Sequence, residues 1–245
     1  MACACLNSQL NPRAKGALQE WGAKLAACSL EQELALPLVP ARRHRLAVRR
    51  DRQRPTKFES EALMTYRPMF PAVLRPTAST LLLSLPAGEL APATEGFTVL
   101  VQGERLSVPY RVYYSPRNLQ SVIARSSEDT RMLALCIGTR HWNGHVREDC
   151  LRQLLGNDRP WIVPFVVQLL GEYVIEIVET ITASVSDAGL ELLCAFAREN
   201  PEFMATTRRR AASYWDCYHR GRFPTLQSYP AFVTLEAIGK AVRAS

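Results

Sequence analysis

Apolar and polar residues alternate along one stretch of the chain in a way that is typical of half-buried β-strands. Two such strands, 97–101 and 106–114, flank Gln102-Gly103-Glu104, and this turn signal predicts a β-hairpin. The residues of the second strand that share one face are Leu106, Val108, Tyr110, Val112 and Tyr114. Because Pro109 cannot donate a hydrogen bond to a ladder, we expect an edge strand or a bulge there.

A helical period replaces this alternation after Pro116, with caps, prolines and glycines at the expected helix ends. The predicted helices are one capped by Ser127 and running to about Gly138, one capped by Asn143 and ended by Gly156, a long one from near Pro160 or Pro164 through Thr182, one capped by Ser186 or Asp187, one from Pro201 to about Arg220, and one over 231–242. Upstream of the hairpin, an apolar run at 79–85 that ends at Pro86 predicts a further short strand.

These elements predict an α+β protein that is mainly α. A small β-hairpin element is followed by a helical bundle or an α-solenoid of short-linked helices. The predicted organisation is a flexible basic region or linker over 1–63, a β element over 64–117 and a helical domain over 118–245. Met64 opens the second of these and is a second candidate for the natural start.

The segment His145-Val-Arg-Glu-Asp-Cys-Leu-Arg-Gln-Leu-Leu155 resembles the second helix of a HEAT-type repeat, in which V-R-x-x-A-L-x-x-L recurs. Cys150 stands where that family favours alanine. The preceding helix, over about 128–139, would complete the antiparallel pair, so the resemblance covers roughly residues 127–156. It implies a protein-binding scaffold without catalytic residues.

The chain is basic, with 30 Lys and Arg against 23 Asp and Glu, and most of the excess lies in residues 1–63. The arginines concentrated there are Arg42, Arg43, Arg45, Arg49, Arg50, Arg52 and Arg54. Such a tract has little to bury and repels itself, so it is expected to be an exposed arm. It offers one alternative function, association with nucleic acid.

The first candidate site is the corner between the helices capped by Ser127 and Asn143. Its residues are Arg140, His141, Trp142, Asn143, His145 and Arg147. Imidazoles, guanidiniums and an indole so close in sequence are suited to binding an anion or a peptide carboxylate. A helix–helix corner in which these groups serve caps and packing is the structural alternative.

The second candidate is a row of polar residues, Gln168, Glu172, Glu176 and Glu179, on the otherwise apolar long helix. Carboxylates on a buried helix must face solvent or find cationic partners. We therefore predict that Arg140 or Arg147 pairs with Glu172 or Glu176 across the corner. A third candidate, 208–222, interleaves arginines with aromatics and is suited either to binding phosphates or to a solvated helix face.

No catalytic motif is evident, and the seven cysteines lack metal-type spacing, so we expect no cofactor and no metal. The apolar segment 161–181 carries three glutamates, which argues against a membrane span. The leading hypothesis is a non-catalytic, cytoplasmic protein-interaction scaffold with a protein partner. An enzyme of unrecognised class is a further alternative.

Overall fold

A computed structural model describes residues 69–85, 93 and 95–244 of the chain. This part contains two strands and nine α-helices: α1 (Arg75–Ser84), β1 (Gly96–Val101), β2 (Glu104–Pro109), α2 (Pro116–Arg125), α3 (Glu128–Gly138), α4 (Gly144–Leu154), α5 (Val163–Leu170), α6 (Ile175–Ser184), α7 (Asp187–Glu199), α8 (Pro201–Tyr214) and α9 (Pro230–Ala244). The fold is therefore mainly α with one antiparallel hairpin and a helical bundle, as the sequence predicts. The proposed division into three regions stays a prediction.

The hairpin is confirmed, with β1 and β2 paired in antiparallel register from Gly96 opposite Pro109 to Val101 opposite Glu104. Its turn residues Gln102 and Gly103 both have positive φ, 52° and 78°, which a two-residue hairpin turn of the I′ kind requires. The second strand is shorter than predicted because it ends at Pro109.

The apolar run at 79–85 was predicted as a strand, and this prediction is wrong because it lies in α1. A short apolar run fits a buried strand and a buried helix equally well. Here Pro76 lies in the first helical turn, where its ring is tolerated, and the residues that pack inward are Ala78, Leu81 and Leu82.

The long helix predicted through Thr182 is also wrong, since the chain breaks into α5 and α6. The break lies at residues 171–174, and the backbone N–H groups of Gly171 and Glu172 close turns onto Gln168 and Leu169. A Cβ on Gly171 would lie 3.3 Å from the Thr207 side chain, so α8 passes very close to the break. The predicted polar residues therefore do not form a row on one helix, because Glu172 lies in the loop between α5 and α6, whereas Glu176 lies on α6.

Several helix ends are as the sequence predicts. The side chain of Asn143 accepts a hydrogen bond from the His145 N–H, and that of Ser186 accepts one from the Gly189 N–H. Ser127 precedes α3 as expected, but its hydroxyl bonds Thr130 instead of capping the backbone. The helix that starts at Pro201 ends as an α-helix at Tyr214 and continues as one π-helical turn, Trp215–His219.

Asn200 precedes α8 but does not cap it. Its side chain instead accepts from the N–H of Leu100 at 2.7 Å and donates to the carbonyl of Leu100 at 2.8 Å. The neighbouring Glu199 accepts from the N–H groups of Gln102 and Gly103, both at 2.9 Å. The end of α7 thereby fastens the hairpin to the helices.

No single helix in the described part of the chain has the length and apolar character needed to cross a membrane. One bent pair, α6 together with most of α7, passes the same test of length and composition when both helices are taken together.

Candidate functional site

The predicted corner is built where the chain leaves β2 and meets the turn between α3 and α4. Val112 donates its N–H to the Arg140 carbonyl at 2.9 Å and accepts from the Trp142 N–H at 3.1 Å. These two bonds lay the segment after β2 beside the turn. Arg111, which precedes Val112, is thereby brought to the same place as Arg140.

Three guanidiniums from three different segments converge on Glu172 in the loop between α5 and α6. Oε1 of Glu172 lies 2.9 Å from Nη1 of Arg111 and 3.6 Å from Nη1 of Arg140, and Oε2 lies 3.0 Å from Nε of Arg147. We call these four residues the ionic cluster. The prediction that Arg140 or Arg147 pairs with Glu172 or Glu176 is confirmed for Glu172, with both arginines in contact.

The ionic cluster is buried except at Arg111. The side chains of Arg140, Arg147 and Glu172 are 0%, 1% and 5% exposed, whereas that of Arg111 is 27% exposed. Three guanidiniums against one carboxylate leave two positive charges uncompensated. Burial lowers the pKa of the Arg140 guanidinium to about 10, Glu172 opposes this shift, and Arg111 and Arg147 add to it.

The cluster also binds the backbone of the turn between α3 and α4 and that of α5. Nη1 of Arg147 donates to the carbonyls of His141 and Trp142, both at 2.9 Å. Nη2 of Arg140 reaches the Phe165 carbonyl in α5 at 3.5 Å. Nη1 of Arg140 and Nη2 of Arg147 are buried and make no hydrogen bond within the described chain.

His141 serves this corner in its neutral form. One ring nitrogen, Nε2, donates to the Tyr114 carbonyl at 2.7 Å, and the other, Nδ1, accepts from the Asn143 N–H at 3.1 Å. Burial lowers the pKa of His141, the bond to the Tyr114 carbonyl opposes this, and the charge of Arg147 lowers it further. The imidazole is thus a structural donor and acceptor at neutral pH.

The structure brings together only part of the predicted site. Arg140, His141, Arg147 and Glu172 meet, and Asn143 caps α4 beside them. His145 and Glu176 are exposed, and neither side chain joins the ionic cluster. Within the described residues, no group of three His, Cys, Asp or Glu side chains is placed to hold a metal ion.

Exposed aromatic rings lie next to the ionic cluster. Trp142 follows the His141 carbonyl that Arg147 holds and is 52% exposed, while Tyr173 directly follows Glu172 and is 53% exposed. The two loops touch, since a Cβ on Gly144 would lie 3.9 Å from the Val174 side chain. From Tyr173 the rings continue to half-buried Tyr214, with centroids 6.0 Å apart. From Tyr214 they continue at 6.2 Å to Tyr218, which is 53% exposed. We call Trp142, Tyr173, Tyr214 and Tyr218 the aromatic surface.

The sequence did not single out two members of this region. Arg111 falls within the strand predicted over 106–114, which in fact ends at Pro109, and Tyr173 falls within the helix predicted through Thr182, which in fact breaks. A glycine next to a glutamate in an apolar segment, Gly171-Glu172, was the available signal for that break.

The arginines of the third candidate, 208–222, are largely neutralised by carboxylates. Arg208 pairs with Glu236, Arg220 with Asp216, and Arg222 with Glu179. Tyr218 lies in the π-helical turn and is exposed. The seven arginines of the predicted nucleic-acid arm, in 42–54, lie outside the described residues.

Comparisons of the whole chain with protein-family models, with curated proteins and with solved structures find no match. The site must therefore be interpreted from its own geometry.

Proposed function

We propose that this protein is a non-catalytic interaction scaffold that binds a partner protein through the aromatic surface. The observation that carries the proposal is the coupling of exposed rings to buried charges. The residue before Tyr173 is Glu172, and the carbonyl of Trp142 is held by Arg147. The rings are therefore presented on loops whose backbone is fixed from beneath.

Such an arrangement suits recognition. Tyr, Trp and Arg are the residues that contribute most binding energy in protein interfaces, and they do so best when little freedom is lost on binding. A buried ionic cluster is costly to form, so a chain that keeps one beneath an exposed surface gains a defined geometry there.

The chemistry of the cluster favours structure over catalysis. Both oxygens of Glu172 lie against guanidiniums and the side chain is 5% exposed, so the carboxylate is not open to a substrate as a general base would be. The thiols of Cys136, Cys150 and Cys194 are buried, and burial raises the pKa of Cys150 to about 12, so it is unsuited to act as a nucleophile. Free cysteines also support a cytoplasmic location.

We also propose that α3 and α4 form the HEAT-type helix pair. Helices α3 and α4 pack so closely that a Cβ on Gly138 would overlap the Cys150 side chain, and they cover the segment that resembles the repeat. Close packing of two short-linked helices is what such a repeat needs.

The test compares partner recovery between matched variants of the full chain. The pair Trp142→Ala and Tyr173→Ala removes two exposed rings, whereas Val73→Ala with Leu83→Ala removes two apolar side chains elsewhere that are more exposed than the rings. Proteins recovered on the wild-type chain from its native host are quantified by mass spectrometry. We expect at least one to fall about tenfold or more with the ring variant and to remain with the control. Equal recovery by both variants would refute the aromatic surface as the binding site.

Association with nucleic acid is the alternative, and the excess of arginine in 42–54 favours it. Neutralising these seven arginines should abolish such binding, and its affinity should fall steeply with salt because counterions are released. If binding is undetectable for the full chain at low salt, this alternative is excluded.

A further inference from the structure

The region beside the aromatic surface carries positive charge that the described residues do not neutralise. The ionic cluster itself has two uncompensated charges, and a fourth guanidinium, that of Arg210, lies close by. The Cζ of Arg210 lies 4.7 Å from the centroid of the Tyr110 ring, and its Cβ would be 3.4 Å from a Cβ on Gly171. Arg111 follows Tyr110, and Glu172 follows Gly171, so Arg210 lies near Arg111, the least buried member of the ionic cluster. We call these two arginines the charged edge.

Both arginines have donors to spare. Arg111 uses the single nitrogen Nη1 for Glu172 and for the Tyr110 carbonyl. Its Nε and Nη2 make no hydrogen bond within the described chain, and the side chain reaches solvent. Arg210 contacts the Tyr110 ring and makes no ion pair with any carboxylate of the described residues.

Three arginines on the same helix or just beyond it, Arg208, Arg220 and Arg222, each have a carboxylate within the chain. Arg209 has none within the described residues and is exposed, where its guanidinium bonds the Thr206 hydroxyl. Arg210 also makes no ion pair there, and it borders the aromatic surface: its guanidinium contacts the Tyr110 ring, and Tyr214 lies one helical turn beyond it.

We propose that Arg111 and Arg210 bind carboxylates of an acidic segment of the partner protein, adjacent to the apolar groups that dock on the aromatic surface. This proposal rests on the proposed function and names the chemistry of the partner. Arg111 already pairs with one carboxylate within the chain, because its Nη1 lies 2.9 Å from Oε1 of Glu172. A second carboxylate would take up its remaining donors in charge-assisted hydrogen bonds and would offset the excess charge beneath.

The size of the charged edge favours a protein segment over a nucleic acid. A nucleic acid carries a phosphate at every nucleotide and is bound along an extended basic stripe. Here the stripe is interrupted by Glu179, Asp216 and Glu236, each of which neutralises an arginine. Arg111 and Arg210 beside the aromatic surface match one or two carboxylates flanked by apolar side chains.

The experiment selects a displayed library of random peptides, each of about twelve residues, against the full wild-type chain. Enriched peptides are then labelled with a fluorophore and titrated by fluorescence polarisation. Each is compared with a counterpart in which every Asp and Glu is replaced by Asn and Gln. The protein variants are Arg210→Gln, Trp142→Ala and, as a control of equal charge change, Arg125→Gln at the exposed end of α2.

We expect the enriched peptides to combine acidic and apolar residues and to bind the wild-type chain about tenfold more tightly than their amide counterparts. Arg210→Gln should remove most of that difference, and Arg125→Gln should leave it unchanged. Because the Arg210 guanidinium contacts only a ring, its replacement leaves the ionic cluster intact. Arg111→Gln serves as a second variant, with its thermal unfolding followed in parallel.

Three results would overturn the proposal. Selection of peptides without acidic residues, or equal binding of acidic and amide peptides, would exclude carboxylates as the groups that Arg111 and Arg210 bind. If Trp142→Ala still abolished binding in that case, the aromatic surface would remain the binding site. Binding that neither Trp142→Ala nor Arg210→Gln reduces would remove the proposed function as well. Tighter binding of a single-stranded oligonucleotide at the same edge would assign it to phosphates instead.

Discussion

Oε2 of Glu172 lies 3.0 Å from Nε of Arg147, although Glu172 lies in the connection between α5 and α6, Arg147 lies in the first turn of α4, and both are buried. The Nε–H is not aimed at the oxygen, so the contact is an ion pair and not a hydrogen bond. This pair joins the loop that carries Trp142 to the loop that carries Tyr173. The stability of the corner should therefore depend on it.

The first prediction concerns this pair. Glu172→Ala should lower the free energy of unfolding by about 3–5 kcal/mol, because it leaves the buried guanidiniums of Arg140 and Arg147 unpaired. Arg147→Ala should lower it by about 1–3 kcal/mol, because the carbonyls of His141 and Trp142 lose their donor. The double variant should lose less than the sum, with a coupling energy above about 1 kcal/mol in urea titrations. Glu176→Ala, on the exposed face of α6, is the control and should stay within about 0.5 kcal/mol of wild type. Additive losses would mean that the contact between Arg147 and Glu172 contributes no coupling energy.

The second prediction concerns pH. The fold holds His141 neutral and lowers its pKa below the ordinary value of 6.5, so the unfolded chain takes up a proton at a higher pH than the folded chain does. The contribution of His141 is fully present above pH 6.5 and is lost as the pH falls towards the folded-state pKa. Protonation would also remove the acceptor of the Asn143 N–H.

We therefore expect the free energy of unfolding to fall as the pH is lowered through 6.5, with a slope from this group of at most about 1.4 kcal/mol per pH unit. His141→Gln should be less stable at neutral pH but should show a flatter profile. His145→Gln, an exposed imidazole on the same turn, should keep the wild-type profile. A wild-type profile in His141→Gln would assign the pH dependence to other groups.

The third prediction concerns the contact between α3 and α4. Gly138→Ala should destabilise the chain by about 1–3 kcal/mol, since the added methyl group meets the Cys150 side chain in a filled core. Adding Cys150→Ala removes the sulfur that the methyl would overlap and should recover part of the loss. Gly221→Ala, where a Cβ meets nothing within 4 Å, is the control for the cost or gain of the alanine itself. Thermal unfolding of the four proteins gives the answer.

The fourth prediction concerns residues 1–63, whose composition lacks a strong apolar pattern after Leu38. A chain that begins at Met64 should unfold within a few degrees of the full chain, because an arginine tract contributes little buried area. If its melting temperature fell by tens of degrees, or if it were insoluble, the N-terminal region would belong to the core.

The elements that the sequence predicts well are those whose determinants are local. A turn signal and an alternating pattern suffice to place the hairpin, although its second strand ends at Pro109 and not at 114 as predicted. Asn143 and Ser186 cap the helices that they precede. The strand predicted at 79–85 is wrong because length and composition do not distinguish a helix from a strand there. The segment is a helix that packs Leu81 and Leu82 inward.

The candidate site was predicted in part because charge in an apolar segment must be compensated wherever it lies. Arg140, Arg147 and Glu172 could therefore be predicted without the fold. It could not find Arg111 or the break at Gly171, because both depend on the route of the chain after β2 and on the close passage of α8. Contacts of this kind join residues far apart in sequence and leave no periodic trace.

The attachment of Asn200 to Leu100 has a consequence for self-association. An edge strand with free N–H and carbonyl groups can recruit the strand of another molecule and start aggregation. Here the amide of one side chain occupies both groups of Leu100, and the Glu199 carboxylate occupies the N–H groups at the turn. Two side chains at the end of a helix thus do for the outer edge of β1 what a third strand would do, and they leave this stretch of the hairpin closed to other copies of the chain.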